Sequence, residues 1–262
     1  MGIETGSLIF VLVLLVGMIL LAEFGSSQVR KEQKRGEPNS GGGVVESSLF
    51  ALLGLLLAFA FTGASSRLDG RRDLVIQEAN ALGTAAQRLS LLQDPTLARA
   101  ALSDYIQTRL DYGTALEKGL ERDAWIATRA SQSDLWNTVL LSMDRDKHVE
   151  EIIVLPPLNE AFDTASERHV MTQVHLPWPV QGMLALLALL CSWIAGRMLP
   201  ENIVSKRIIR WSLAFVVCLT LMLIKDLDYP RLGFIKVTGS DQLLRELMDT
   251  LAEDKNDLAF PE

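Results

Sequence analysis

Cysteine and histidine are scarce in this sequence, with 2 and 3 copies in 262 residues. Alternating β-type patterning is almost absent; 234–237 (Phe-Ile-Lys-Val) alone reads as a strand. Cys191 and Cys218 both fall inside apolar stretches, so no disulfide framework or zinc spacing can be drawn, and they read as packing or lipid-facing residues. His148, His169 and His175 include no pair at the i, i+4 spacing of a zinc helix. Glu150 and Glu151 follow His148 too closely in sequence to share its helix face, which makes that stretch a solvated one. Glu160, Asp163 and Glu167 do share a face, which could bind a cation given a partner face, but charges at that spacing are usually a solvated face, and Arg168 with Arg129 or Arg145 is available to neutralise it. No glycine-rich phosphate loop follows a strand, and no serine or cysteine has a base nearby in sequence. The expectation is therefore no enzyme, no metal and no cofactor. A net charge of −7 without a basic face argues against a nucleic-acid partner.

What the chain has in abundance is apolar sequence, 49% of its residues, gathered into four stretches at about 8–24, 44–65, 180–199 and 208–224. Each approaches the roughly 20 residues an α-helix needs to cross about 30 Å of hydrocarbon. Their cores carry no charge. Glu46 lies one turn inside the second, Trp178 and Trp211 sit near span ends, and Lys225 with Asp226 closes the fourth, as interfacial anchors do. The first stretch is expected to be an uncleaved helix rather than a secretory leader, because residues 1–7 carry only Glu4 and the run Ala22-Glu23-Phe24-Gly25 makes a poor cleavage site. A multi-pass membrane protein embedded in a lipid bilayer is expected.

The pattern divides the chain into a first transmembrane helix and a basic, glycine-rich linker (1–43), a second transmembrane helix (44–66), a helical soluble domain (67–176), transmembrane helices three and four (177–225), and a turn with a short helix (226–262). In the linker, Gly25 to Arg35 leads into the punctuation of Pro38 and Gly41 to Gly43, which predicts a flexible loop. Within the soluble domain, Leu68, Val75, Ala79, Leu82, Ala86 and Leu89 recur at helical spacing, and no strong stop separates them from the second span. That span is therefore expected to continue as one long helix. Asp94 and Pro95 start the next helix, to about Leu116. A helix at 123–143 carries Trp125 and Trp136, Pro156 and Pro157 are expected to break the chain, and 158–172 forms another helix. A turn over 226–233 and a short amphipathic helix over 241–251 follow the last span.

Along the second span, bulky apolar residues give way to Thr62, Gly63, Ala64, Ser65 and Ser66, and then to Arg67, Arg71 and Arg72. Small residues on a membrane helix permit close approach to neighbours, so Gly54, Ala58 and Gly63 are explained by helix packing alone. A helix that lines a pore, with an apolar constriction above a basic mouth, explains the same residues functionally.

The run Leu52-Leu53-Gly54 leading to Ala58-Phe59, then Arg71, Glu78, Ala79 and Asn80, resembles the bestrophin superfamily of anion channels. It is most similar to the bacterial bestrophin-like family. Leu155-Pro156-Pro157-Leu158-Asn159-Glu160, the segment 226–233 and Leu243-Leu244-Arg245-Glu246-Leu247 extend the likeness, which covers roughly 44–251. The resemblance implies an all-α membrane fold with four transmembrane helices and a helical soluble domain between spans two and three. It further implies a homo-oligomer, a pentamer, in a bacterial plasma membrane, whose second spans surround a pore for inorganic anions. The neck would fall at Leu55, Phe59 and Gly63, and Arg67, Arg71 and Arg72 would stand at its mouth. Gly63 departs from the bulky residue usual at that position, and Arg72-Asp73 replaces an aromatic pair. Asp226 and Asp228 stand where animal members carry a calcium clasp, a match too thin to imply calcium.

Basic residues divide almost evenly between the two sides of the membrane, so charge does not set the orientation; the resemblance places the soluble domain and both termini in the cytoplasm. A non-conducting sensor or scaffold, whose helical domain binds a ligand or partner through Trp125 and Trp136, is the alternative. The two differ in assembly, since a pore requires a closed ring.

Overall fold

The computed structural model describes residues 3–36, 43–143, 148–199, 204–229 and 241–257. Every regular element among them is a helix: α1 (Ile3–Lys34), α2 (Val44–Leu89), α3 (Thr96–Lys118), α4 (Glu121–Ser142), α5 (His148–Gln173), α6 (Trp178–Met198), α7 (Val204–Asp228) and α8 (Asp241–Asp257). The expected strand at 234–237 and most of the turn at 226–233 lie outside the described residues. Four helical stretches, Leu8–Lys34, Val44–Leu89, Val149–Met198 and Val204–Asp228, are long and apolar enough to cross a membrane. The third joins α5 to α6, and its apolar sequence is that of α6, whose one charge is Arg197 in the last turn. The protein is an all-α, multi-pass integral membrane protein.

The chain forms two compact units, residues 1–67 with 175–234, and residues 68–174 with 235–262. In the first, α1 and α6 pack where small residues let their backbones meet. A Cβ on Gly196 would stand 2.0 Å from the carbonyl oxygen of Ala22, and one on Gly25 would stand 2.4 Å from that of Trp193. Met18, Ala22, Ser26 and Val29 form the fully buried stripe of α1 that meets this surface. Helices in lipid gain no hydrophobic drive from associating, so close approach and interhelical hydrogen bonds hold them instead. Ser192 Oγ donates to the Met18 carbonyl at 2.7 Å, Trp193 Nε1 donates to Gln28 Oε1 at 3.1 Å, and Arg197 pairs with Glu32 at 3.2 Å. These contacts explain why α1 continues through residues 25–34, where the sequence suggested a loop: Gly25 is a point of contact with α6. Residues 37–42 of the expected linker lie outside the described residues.

α7 joins this unit through Arg210, which is 1% exposed and donates to Glu23 Oε1 at 2.9 Å and to the Leu199 carbonyl at 2.6 Å. Cys218 is buried with its Sγ 3.8 Å from Met18 Sδ, and Cys191 is buried on α6; both are packing residues.

The second unit has an apolar core of Leu82, Leu89, Leu102, Ile106, Leu135, Val139, Val154 and Leu158, among others, with Tyr105 edge-on to Phe162. α8 covers it with Leu244 and Leu251, its other face being charged. Asp94 accepts the Thr96 N–H at 3.0 Å in the turn ahead of α3, but Pro95, not Asp94, takes the N-cap position, and no side chain caps the helix there. Pro156 and Pro157 lie inside α5 rather than breaking it. A proline at 157 cannot donate to the carbonyl of Ile153 four residues back, and an unmatched buried carbonyl is costly. Arg88 supplies the missing donor, its Nη1 standing 2.8 Å from that oxygen.

A charged cluster sits inside this unit. Glu78 is fully buried and accepts from Arg109 and Arg168 together, with Arg109 Nη2 at 3.1 Å from its Oε2. Burial works against the charge on Arg109, but Glu78 outweighs it and raises the pKa of the guanidinium further. Burial also pushes the Tyr105 phenol well above its usual range. Beside the cluster, Arg109 lies 4.9 Å from the Tyr112 ring, the Tyr112 hydroxyl and His169 Nδ1 share a 2.7 Å hydrogen bond, and His169 stacks on Trp125 at 4.1 Å.

Two outcomes test this packing. Gly196→Ala drives a methyl into the Ala22 backbone, so it is expected to lower the melting temperature in detergent by the equivalent of about 1–3 kcal/mol or to prevent folding. Gly182→Ala, with nothing within 4 Å, is expected to be silent in the same melt. Glu78→Gln leaves two guanidiniums without their carboxylate and is expected to cost about 3–5 kcal/mol in a denaturant titration, whereas a loss below about 1 kcal/mol would assign the cluster no structural role.

Candidate functional site

α2 is the least enclosed of the four apolar helices. It buries one stripe, Leu53, Leu57, Ala60 and Ala64, at the three-to-four-residue spacing of a single helix face. A second ridge, Leu55, Phe59, Gly63 and Arg67, runs at successive i, i+4 steps. Leu55 and Phe59 are 52% and 66% exposed, and Thr62 and Ser66 are exposed beside them. The sequence-predicted neck residues thus share one row, open at Leu55 and Phe59 and half-buried at Gly63.

The three arginines that follow go to different places. Helical side chains lean toward the N-terminus, so Arg67 reaches back over Gly63. Its Nη1 is 3.4 Å from where a Gly63 Cβ would stand. Its Nε donates at 2.7 Å to Oδ1 of Asp228, the last residue of α7, whose side chain is 3% exposed. The other oxygen of Asp228 accepts the Leu176 N–H at 2.7 Å, and His175 stacks on Tyr229 alongside at 4.3 Å. A carboxylate at a helix C-terminus meets the negative end of the dipole, and these two donors offset that repulsion. Asp228, which sequence reasoning associated with a thin calcium match, instead receives an arginine and a backbone amide.

Arg71 is buried in the second unit and donates to the carbonyls of Met171 at 3.1 Å and Val174 at 2.7 Å. It closes the C-terminal end of α5, where carbonyls lack helical partners and a cation is favoured. Arg72 faces outward and lies 3.8 Å from Asp69 in a pair exposed on both sides. Such a pair contributes little to stability.

The remaining candidates do not converge. Glu160, Asp163 and Glu167 are exposed on α5, and among the described residues no three His, Cys, Asp or Glu side chains gather as a metal site. The side chain of His148 and the whole of Arg145 lie outside the described residues. Trp136 packs at the edge of the core, 6.3 Å from the Phe162 ring, and Trp125 is occupied by His169. Sequence reasoning missed Asp228 as the anchor of Arg67 and Glu78 as a buried ion-pair centre. Isolated charges inside a long helical register were the only signal available for either.

Comparison with known proteins adds the family. The sequence profile of the Bestrophin-like domain matches residues 10–241. Among curated proteins, none matches this sequence. Among solved structures, the chain is similar to a crystal structure of a bacterial bestrophin homologue from Klebsiella pneumoniae carrying a point substitution, with a TM-score of 0.71, 13% identity, and coverage of 92% of this chain and 99% of that one. A second crystal structure of the Klebsiella homologue, obtained by zinc phasing, gives a TM-score of 0.72 at 13% identity, covering 92% and 97%. At that identity the likeness speaks for the fold, and the profile, which spans most of the sequence, speaks for ancestry. The chain belongs to the bestrophin-like family.

Proposed function

We propose that this protein is a homo-oligomeric ion channel of the bacterial plasma membrane, anion-conducting, and not an enzyme. The second span lines its pore, as in the bestrophin anion channels the sequence resembles. The observation that carries this reading is the ridge of α2: a membrane helix with one buried stripe and a row of Leu55, Phe59 and Gly63 whose two bulky members are exposed. Copies of the chain arranged in a ring, five by resemblance, would close those rows around an axis. The apolar neck would gate by excluding water, and Arg67, Arg71 and Arg72 would raise the anion concentration at the mouth through their summed field. Arg72 is the most open of the three, Arg67 is offset by Asp228, and Arg71 adds its charge from within the second unit.

Native mass spectrometry of the protein in mild detergent is expected to give a pentamer; a stable monomer or dimer would sink the pore and favour a sensor or scaffold. In planar bilayers, Phe59→Ala and Leu55→Ala are each expected to raise conductance several-fold by relieving the constriction. Unchanged conductance in both would place the neck elsewhere.

A further inference from the structure

The departure at Gly63 and the posture of Arg67 have one explanation between them. The first two places on the exposed ridge hold bulky apolar side chains, and the third holds none. Arg67, one turn further on, leans back into that third place, with Nη1 3.4 Å from the missing Cβ. A leucine or phenylalanine at 63 would occupy the same volume. We propose that Gly63 is the berth of the Arg67 guanidinium, so that the inner end of the neck is an anion-binding ring of guanidiniums rather than a third apolar ring. The ligand is a small inorganic anion, and the inference rests on α2 lining a pore.

Three features of the site support it. Arg67 has five N–H donors in a fixed fork. Asp228 takes Nε, Nη2 is buried with no hydrogen-bond partner, and Nη1 faces the glycine. The side chain is 20% exposed, so its donors are mostly withdrawn from water, where an anion is held more strongly than in bulk solvent. The pairing with Asp228 is also what makes a ring of such groups tenable. Bare guanidiniums around one axis would repel each other, and a carboxylate behind each offsets the repulsion and moderates the field, so that an anion enters the ring and still leaves it.

The test is the chloride-to-potassium permeability ratio, read from reversal potentials of the full-length protein in planar bilayers under a KCl gradient. Arg67→Gln is expected to lower the ratio several-fold, and Arg67→Lys, which keeps the charge, to retain most of it. Gly63→Leu displaces the guanidinium and is expected to lower both the ratio and the conductance. Where Arg67→Gln alone does not fold because Asp228 loses its arginine, Arg67→Gln with Asp228→Asn removes both charges and is expected to lower the ratio as well. Phe59→Ala separates the two ideas, because it is expected to raise conductance without moving the ratio. If Phe59→Ala acts and Arg67→Gln leaves the ratio unchanged, the guanidinium ring is overturned and the neck stands; if no substitution at Leu55 or Phe59 changes the current, the neck itself fails. Bromide-soaked crystals give a readout independent of gating: an anomalous peak at the Arg67 guanidinium that disappears in Arg67→Gln supports the site. No peak in wild type, or one that persists in the variant, overturns it.

Discussion

A guanidinium removed from water must be given acceptors, and this protein places arginines where water is scarce throughout its helices. Arg71, Arg109, Arg168 and Arg210 are all buried. Each is met by acceptors: backbone carbonyls at the end of α5 for Arg71, the shared carboxylate of Glu78 for Arg109 and Arg168, and Glu23 with the Leu199 carbonyl for Arg210. Arg88 fills the gap a proline leaves in the α5 ladder. The guanidinium suits these tasks because it is always charged and presents several donors in a fixed plane. Removing one member of such a set leaves the other stranded, so these pairs fix which helix meets which even where their net contribution to stability is small.

The two units hold together by different means, and the difference follows from their solvents. In the first, lipid is as apolar as any side chain, so cohesion comes from backbone approach at Gly25 and Gly196 and from hydrogen bonds such as that of Ser192 to Met18. In the second, leucines, alanines, Ile106 and two aromatic rings form an ordinary apolar core around which α3, α4, α5 and α8 gather. α2 belongs to both regimes as a single helix of 46 residues.

Much of this was legible in the sequence because the governing signal was long and redundant. Four apolar stretches of membrane length announce the spans, and the leucine and alanine register after Arg67 announces the extension of α2. The failures have local causes. Gly25-Ser26-Ser27 reads as the start of a loop, since the close approach of Trp193 that makes glycine necessary there is contributed from far along the chain. Pro156-Pro157 reads as a break, since nothing near it in sequence shows that Arg88 will stand in for the lost donor. The arginine triplet after the second span reads as one basic mouth, yet a turn of helix separates Arg67 from Arg71, Arg71 and its neighbour Arg72 point to different faces, and the three go to a carboxylate, to carbonyls and to the surface. Helical phase was available from the sequence; the partners waiting at each phase were not.

The stack of Trp125 on His169 supplies the second unit with a built-in optical reporter. The two rings lie within 6° of parallel, and an indole in face contact with an imidazole loses emission when that imidazole is protonated. In a variant whose other four tryptophans are replaced, fluorescence from Trp125 therefore records the charge of one histidine and the integrity of the α4–α5 contact together, without an attached dye.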